Sequence, residues 1–231
     1  MALAWFTWDK PAFVHWIVPE LAVQVPDGLE LDRWQGDPVV SLVGLHAVGP
    51  APRAWVRSRF APASSYTQVN LRTYVRGPAG PGILLIDTRV DRRLPVAARL
   101  LGNPYHFDGE TAVAIEAGHV TLHARGIEVE GIVSGDEPGE QPRGSFDAFV
   151  LERYQTFARL PGGLVYVTSI RHRPWRVRGV GVEQASMSGW ERLGRPVAAH
   201  AAEPVEVAVT GVAPLIRSRR RSRWRTSPAR A

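Results

Sequence analysis

The most constraining feature of this chain is the alternation in Tyr66 to Arg76, where Val69, Leu71, Thr73 and Val75 take turns with Gln68, Asn70, Arg72 and Tyr74. Side chains on a strand point to opposite faces in turn, so this segment is a strand with one apolar face and one face of amides, guanidinium and phenol. The turn Gly77 to Gly82 leads into a buried strand over Ile83 to Ile86 and a short helix over Leu94 to Leu101. Gly102 stands where a helix stop belongs, and Pro104-Tyr105-His106 follows.

The same reading extends along the chain. Strands are expected at Ala12 to Val18, Val39 to Val48, Thr111 to Glu116, His119 to Arg125, Ile127 to Val133, Leu164 to Arg171, Trp175 to Glu183 and Val205 to Val212. Pro19 to Val25 reads as a single helical turn, Pro50 to Ser65 as a loop long enough to form a lid, and Ser134 to Gly144 as a mobile surface loop. Ser145 can cap a helix, and Phe146, Phe149, Val150, Arg153 and Phe157 recur at helical spacing to about Arg159. The result is an α+β chain: a large, mainly antiparallel sheet that must curl or close, with two or three peripheral helices.

Composition removes several kinds of chemistry. The 231 residues include no cysteine, which excludes disulfides, thiolate catalysis and Cys-ligated zinc. Lys10 is the single lysine among 28 basic residues, so imine-forming catalysis has one candidate. His119 and His123 are four apart, but on a strand that spacing spans about 13 Å, too far to share one ion, and no metal or cofactor is expected. The net charge of +6 has a local origin. Arg217 to Ala231 carries seven arginines and no acid, which leaves about −1 for residues 1–216. A domain over 1–216 followed by a disordered Arg-rich tail over 217–231 is expected, and such a tail can touch polyanions non-specifically. The amino terminus is unlike a secretory signal, and no segment approaches the roughly 20 apolar residues that span a bilayer, so a cytoplasmic location is expected.

Six segments occur in a familiar order: Phe13-Val14-His15-Trp16, Pro26 to Asp32, Val69 to Val75, Asn103-Pro104-Tyr105, Leu151-Glu152-Arg153-Tyr154 and His172-Arg173-Pro174-Trp175. Over about residues 10–213 the chain resembles the YqjF-like proteins of unknown function, within the acetoacetate decarboxylase-like superfamily. That resemblance implies a closed or cone-like β-barrel with helices packed outside and a pocket inside. It also implies that the imine lysine of the decarboxylases falls on Tyr105 and a second lysine on His106. Two pocket carboxylates fall on Ser41 and Gln68. None of these four residues can do the original chemistry, so decarboxylase activity does not carry over.

The candidate pocket comprises Gln68, Asn70, Arg72, Tyr105 and His106, with His15, Ser41 and His46 nearby. Arg72 can clamp a carboxylate, Tyr105 can donate to a carbonyl oxygen and His106 can move a proton near neutral pH. Against this stands a solvent-exposed polar strand face, with His15 and His46 as core residues, Lys10 exposed, and Trp175 filling the barrel end. Three functions remain open: binding of a small organic acid or ketone without Schiff-base chemistry, a Tyr105/His106 acid–base enzyme on a carbonyl substrate, and an interaction protein acting through its basic tail.

Overall fold

A computed structural model describes residues 2–19, 23, 25–51, 64–160 and 163–214. The expected lid falls almost wholly outside these residues, as does the arginine-rich tail, and the expected helical turn after Pro19 is described only in part. The described elements are β1 (Ala4–Ile17), β2 (Glu30–Leu31), β3 (Val39–Ala51), β4 (Tyr66–Gly77), β5 (Gly80–Val90), β6 (Tyr105–Phe107), β7 (Ala112–Glu116), β8 (His119–Ala124), β9 (Ile127–Gly139), α1 (Phe146–Leu151), β10 (Gln155–Arg159), β11 (Val165–Arg171), β12 (Val177–Met187), β13 (Ala198–Ala202) and β14 (Val205–Pro214). Short 3₁₀ helices occupy Leu94–Leu101 and Glu191–Leu193.

Seven strands close into a barrel in the order β14-β11-β10-β5-β4-β3-β1, with β1 and β14 pairing to complete the ring. All these pairs are antiparallel except β10 with β5. The first strand forks. Ala4 to Trp8 pairs with β14 inside the ring, whereas Ala12 to His15 pairs with β13 and starts an extension, β13-β12-β9-β8-β7. The change of partner occurs at Asp9-Lys10-Pro11, where the pairing with β3 shifts register and Lys10 has φ 48°. A bulge of this kind bends a strand and lets it serve two sheets.

The extension folds over the outside of the barrel. Val14, Trp16, Val40, Leu42, Val69 and Leu71 on the outer face of β1, β3 and β4 form one core with Val120, Leu122 and Val129. Gly44 makes the approach possible, because a Cβ there would lie 2.3 Å from Leu122 Cδ2. The opposite faces of the same strands, with Phe13, Val43, Leu45 and Tyr74, form a second core inside the barrel, joined by Val207 of β14, Leu151 and Trp175. Both faces of β1, β3 and β4 are therefore buried, as the apolar run through Val39 to Val48 requires.

The helix content is lower than the sequence suggests. Ser145 does cap α1, its Oγ accepting from the Ala148 N–H at 3.1 Å. The helix stops at Leu151, however, and Gln155–Arg159 is a strand between β5 and β11. The Phe146 to Phe157 periodicity is real as far as Val150, and beyond it the sheet hydrogen bonds available at the ring's only parallel step outweigh helix propensity. Ser134 to Gly139 likewise extends β9 by pairing with β12, although Gly and Pro had marked it as loop. The segment before β14 yields an extra strand, β13.

Candidate functional site

Because β4 lies in a closed ring, its polar face points inward. Tyr66, Gln68, Asn70 and Arg72 line an interior cavity of about 190 Å³, with Thr88 from β5 and Tyr105 from β6 beside them. The register places these groups: Thr88 lies opposite Asn70 across β4 and β5, and opposite Tyr105 across the parallel pair β5 and β6. The Tyr105 hydroxyl donates to Gln68 Oε1 at 3.3 Å. Phe6, Trp8, Phe13, Val207 and Val209 from β1 and β14 form much of the facing wall.

Arg72 is the decisive side chain. It is 9 % exposed and donates through Nη2 to the Val150 carbonyl at 3.2 Å. Its carbon Cζ lies 5.6 Å from the Phe13 ring centroid and 5.8 Å from that of Tyr74. Its Nε has no partner among the described residues, and the same holds for Asn70 Oδ1 and Thr88 Oγ1. Among the described residues, no aspartate or glutamate lines the cavity. Arg153, also at the cavity, differs: its Nη1 pairs with Asp32 Oδ2 at 2.8 Å and its Nε donates to the Phe149 carbonyl at 2.7 Å.

The phenols here are donors. Burial pushes the Tyr66 hydroxyl well above the usual tyrosine range, and the neighbouring Tyr105 adds to the effect. Burial also raises Tyr105, against a smaller opposing effect of Tyr66. Both therefore keep their protons at neutral pH.

The remaining expected residues separate from this group. His106 follows Tyr105 on a strand and so faces the other way; it is 42 % exposed, with Nε2 3.7 Å from Asp87 Oδ1. Tyr105 and His106 do not share a site, which removes the base from the expected acid–base pair. His46 lies on the outer face of β3, where Nδ1 meets Thr67 Oγ1 at 3.2 Å. His15 and Ser41 do face inward, but beneath α1. His15 Nδ1 lies 2.6 Å from Ser41 Oγ, which lies 2.6 Å from the Tyr74 hydroxyl, and Tyr74 donates to the Val150 carbonyl at 3.0 Å. Since the Tyr74 proton goes to that carbonyl, Ser41 donates to Tyr74 and His15 donates through Nδ1 to Ser41. Lys10 sits outside the barrel with Nζ 3.4 Å from Glu116 Oε1. His119 and His123 stand four residues apart on one face of β8, and no cluster of three metal-ligating side chains occurs among the described residues.

Several residues at the site escape a sequence reading. Tyr66 shares the β4 face with Gln68, and alternation could have found it. Thr88 could be placed only by the β4–β5 register. His172 lines the cavity with its ring 4.9 Å from Trp175 and 4.7 Å from Tyr154, and burial holds its pKa below the ordinary histidine value. Trp175, by contrast, was expected to fill the barrel end; it is buried against Phe13 and lines the cavity, its backbone N–H donating to Glu152 Oε1 at 3.0 Å.

Known proteins share this architecture. The chain is 27 % identical to the uncharacterized protein YqjF of Bacillus subtilis (strain 168) in an alignment of 190 residues that covers 77 % of this chain and 76 % of that protein. Its fold is similar to that of the enduracididine biosynthesis enzyme MppR complexed with pyruvate, with TM-score 0.64, 13 % identity, and 94 % and 91 % of the two chains covered. It is also similar to acetoacetate decarboxylase from Legionella pneumophila, with TM-score 0.60, 14 % identity, and 94 % and 90 % covered. At these identities the likeness is one of fold. A family model described as an uncharacterized conserved protein matches residues 6–213, and the chain belongs to that family, DUF2071, with the barrel of the acetoacetate decarboxylase-like enzymes.

Proposed function

We propose that this protein binds a small organic acid inside the barrel, with Arg72 as the anchor for the carboxylate and without Schiff-base chemistry. One observation carries the reading: a guanidinium 9 % exposed, facing a cavity that no acidic side chain of the described residues lines. A buried cation without a counter-charge is costly, and an anionic ligand offsets that cost. The planar fork of arginine matches a carboxylate in two parallel hydrogen bonds. Tyr105, Gln68 and Asn70 supply neutral polar contacts along the same wall. The only lysine, Lys10, is engaged with Glu116 outside the barrel, so a bound ketone meets no amine.

Titration calorimetry with short carboxylic acids and their uncharged amides tests this. The acids are expected to bind and the amides to bind at least about tenfold more weakly, as loss of a charge-assisted pair implies. Equal affinity for acid and amide would remove Arg72 from the recognition. Borohydride added to a mixture with a 3-oxo acid should leave the protein mass unchanged.

A further inference from the structure

The cavity sets a polar group on β4 and β5 beside an aromatic cluster, and this narrows the acid further. The narrowing rests on the carboxylate reading above. Arg72 and Asn70 are two apart on one strand, and Thr88 is the cross-strand neighbour of Asn70. Their unpaired atoms Nε, Oδ1 and Oγ1 thus fall within about 7 Å along one wall. A carboxylate on Arg72 uses the first, and an oxygen on the adjoining carbon reaches the other two. The Asn70 amide can turn to present either a donor or an acceptor, and the Thr88 hydroxyl serves as both, so a hydroxyl or carbonyl oxygen satisfies the pair.

The lining next to this polar group has a different character, beginning at Phe13, whose ring centroid lies 5.6 Å from Arg72 Cζ. Trp8 stacks on Trp175 with ring centroids 6.1 Å apart and 10° between planes, and Phe13 meets Trp175 edge-on at 5.2 Å. Val207 and Val209 continue that wall on β14. An acid no larger than its head group would leave this aromatic surface against water, whereas a ring packs on it. The volume of about 190 Å³ is below the roughly 300 Å³ of pockets for drug-sized ligands, which limits the guest to a single ring. With no carboxylate among the described lining residues, an ammonium group would be buried unpaired, so amino acids are disfavoured.

We propose that the ligand is a short 2-hydroxy or 2-oxo carboxylic acid carrying one aromatic ring, its head on Arg72, Asn70 and Thr88 and its ring on Trp8, Trp175 and Phe13. Titration calorimetry with 3-phenyllactate, lactate and phenylalanine tests the assignment. Phenyllactate should bind at least about tenfold more tightly than lactate, from burial of the ring. Phenylalanine, with the same ring and an ammonium in place of the hydroxyl, should bind at least about tenfold more weakly than phenyllactate. Lactate binding as tightly as phenyllactate overturns the aromatic assignment and leaves the carboxylate reading standing. Phenylalanine equalling phenyllactate also overturns it. Failure of every acid to bind removes both readings together.

Discussion

Two regions of the barrel interior are built from the same strands and end in opposite chemistry. Beneath α1, His15, Ser41 and Tyr74 run in a hydrogen-bonded line to the Val150 carbonyl, and His200 Nε2 faces Asp147 Oδ1 at 3.2 Å. In the cavity, Arg72, Asn70 and Thr88 each keep an unpaired atom. The region under α1 has unpaired atoms too: His15 Nε2 and His200 Nδ1, with the rings 5.3 Å apart. The difference is space. His15 is wedged between Phe13 and Phe146 with His200 beside it, so their unmet capacity appears as pH sensitivity, whereas the cavity groups have about 190 Å³ before them and can meet a ligand.

That comparison can be broken most sharply at Arg72. Arg72→Met should weaken carboxylic acid binding by about a hundredfold, measured by calorimetry, while the melting temperature stays within a few degrees, because an uncompensated charge gives way to an apolar chain of similar length. A fall in stability with binding intact would make Arg72 a structural residue. Ser41→Ala is the reciprocal change. It leaves the His15 Nδ1–H without its acceptor and should cost about 1–3 kcal/mol in urea unfolding, with acid affinity unchanged.

The smallest effect is acid sensitivity. Burial, joined by His200 and Arg72, holds His15 well below the ordinary histidine value, and burial lowers His200 despite the nearby Asp147. With folded pKa values depressed, the unfolded chain takes protons first. Stability is then fully present above about pH 6.5 and falls below it, by up to about 1.4 kcal/mol per pH unit per histidine. His15→Gln should flatten that slope when unfolding is measured between pH 5 and about pH 7. An unchanged slope would show that the histidine pair is already solvated.

How much of this was legible before the fold depended on the range of the interaction. The two faces of β4 were plain in the alternation of Gln68 to Val75, since that pattern is local. Which face lies inside was set by β1 pairing with β14, between residues about 200 apart, and only the resemblance to a barrel family pointed there. The separation of Tyr105 from His106 is written in their adjacency, because neighbours on a strand diverge, yet motif matching placed both in the pocket. His200 comes to His15 through the β1–β13 register, which no local signal encodes. The helix expected through Phe157 ended at Leu151 because sheet partners from β5 and β11 were waiting.

The most direct test of the central claim is a crystal structure of the protein grown with 3-phenyllactate. The account predicts its carboxylate within hydrogen-bonding distance of the Arg72 guanidinium, inside the ring of strands. Density for the acid only on surface arginines, with Arg72 turned away from the cavity, would contradict it.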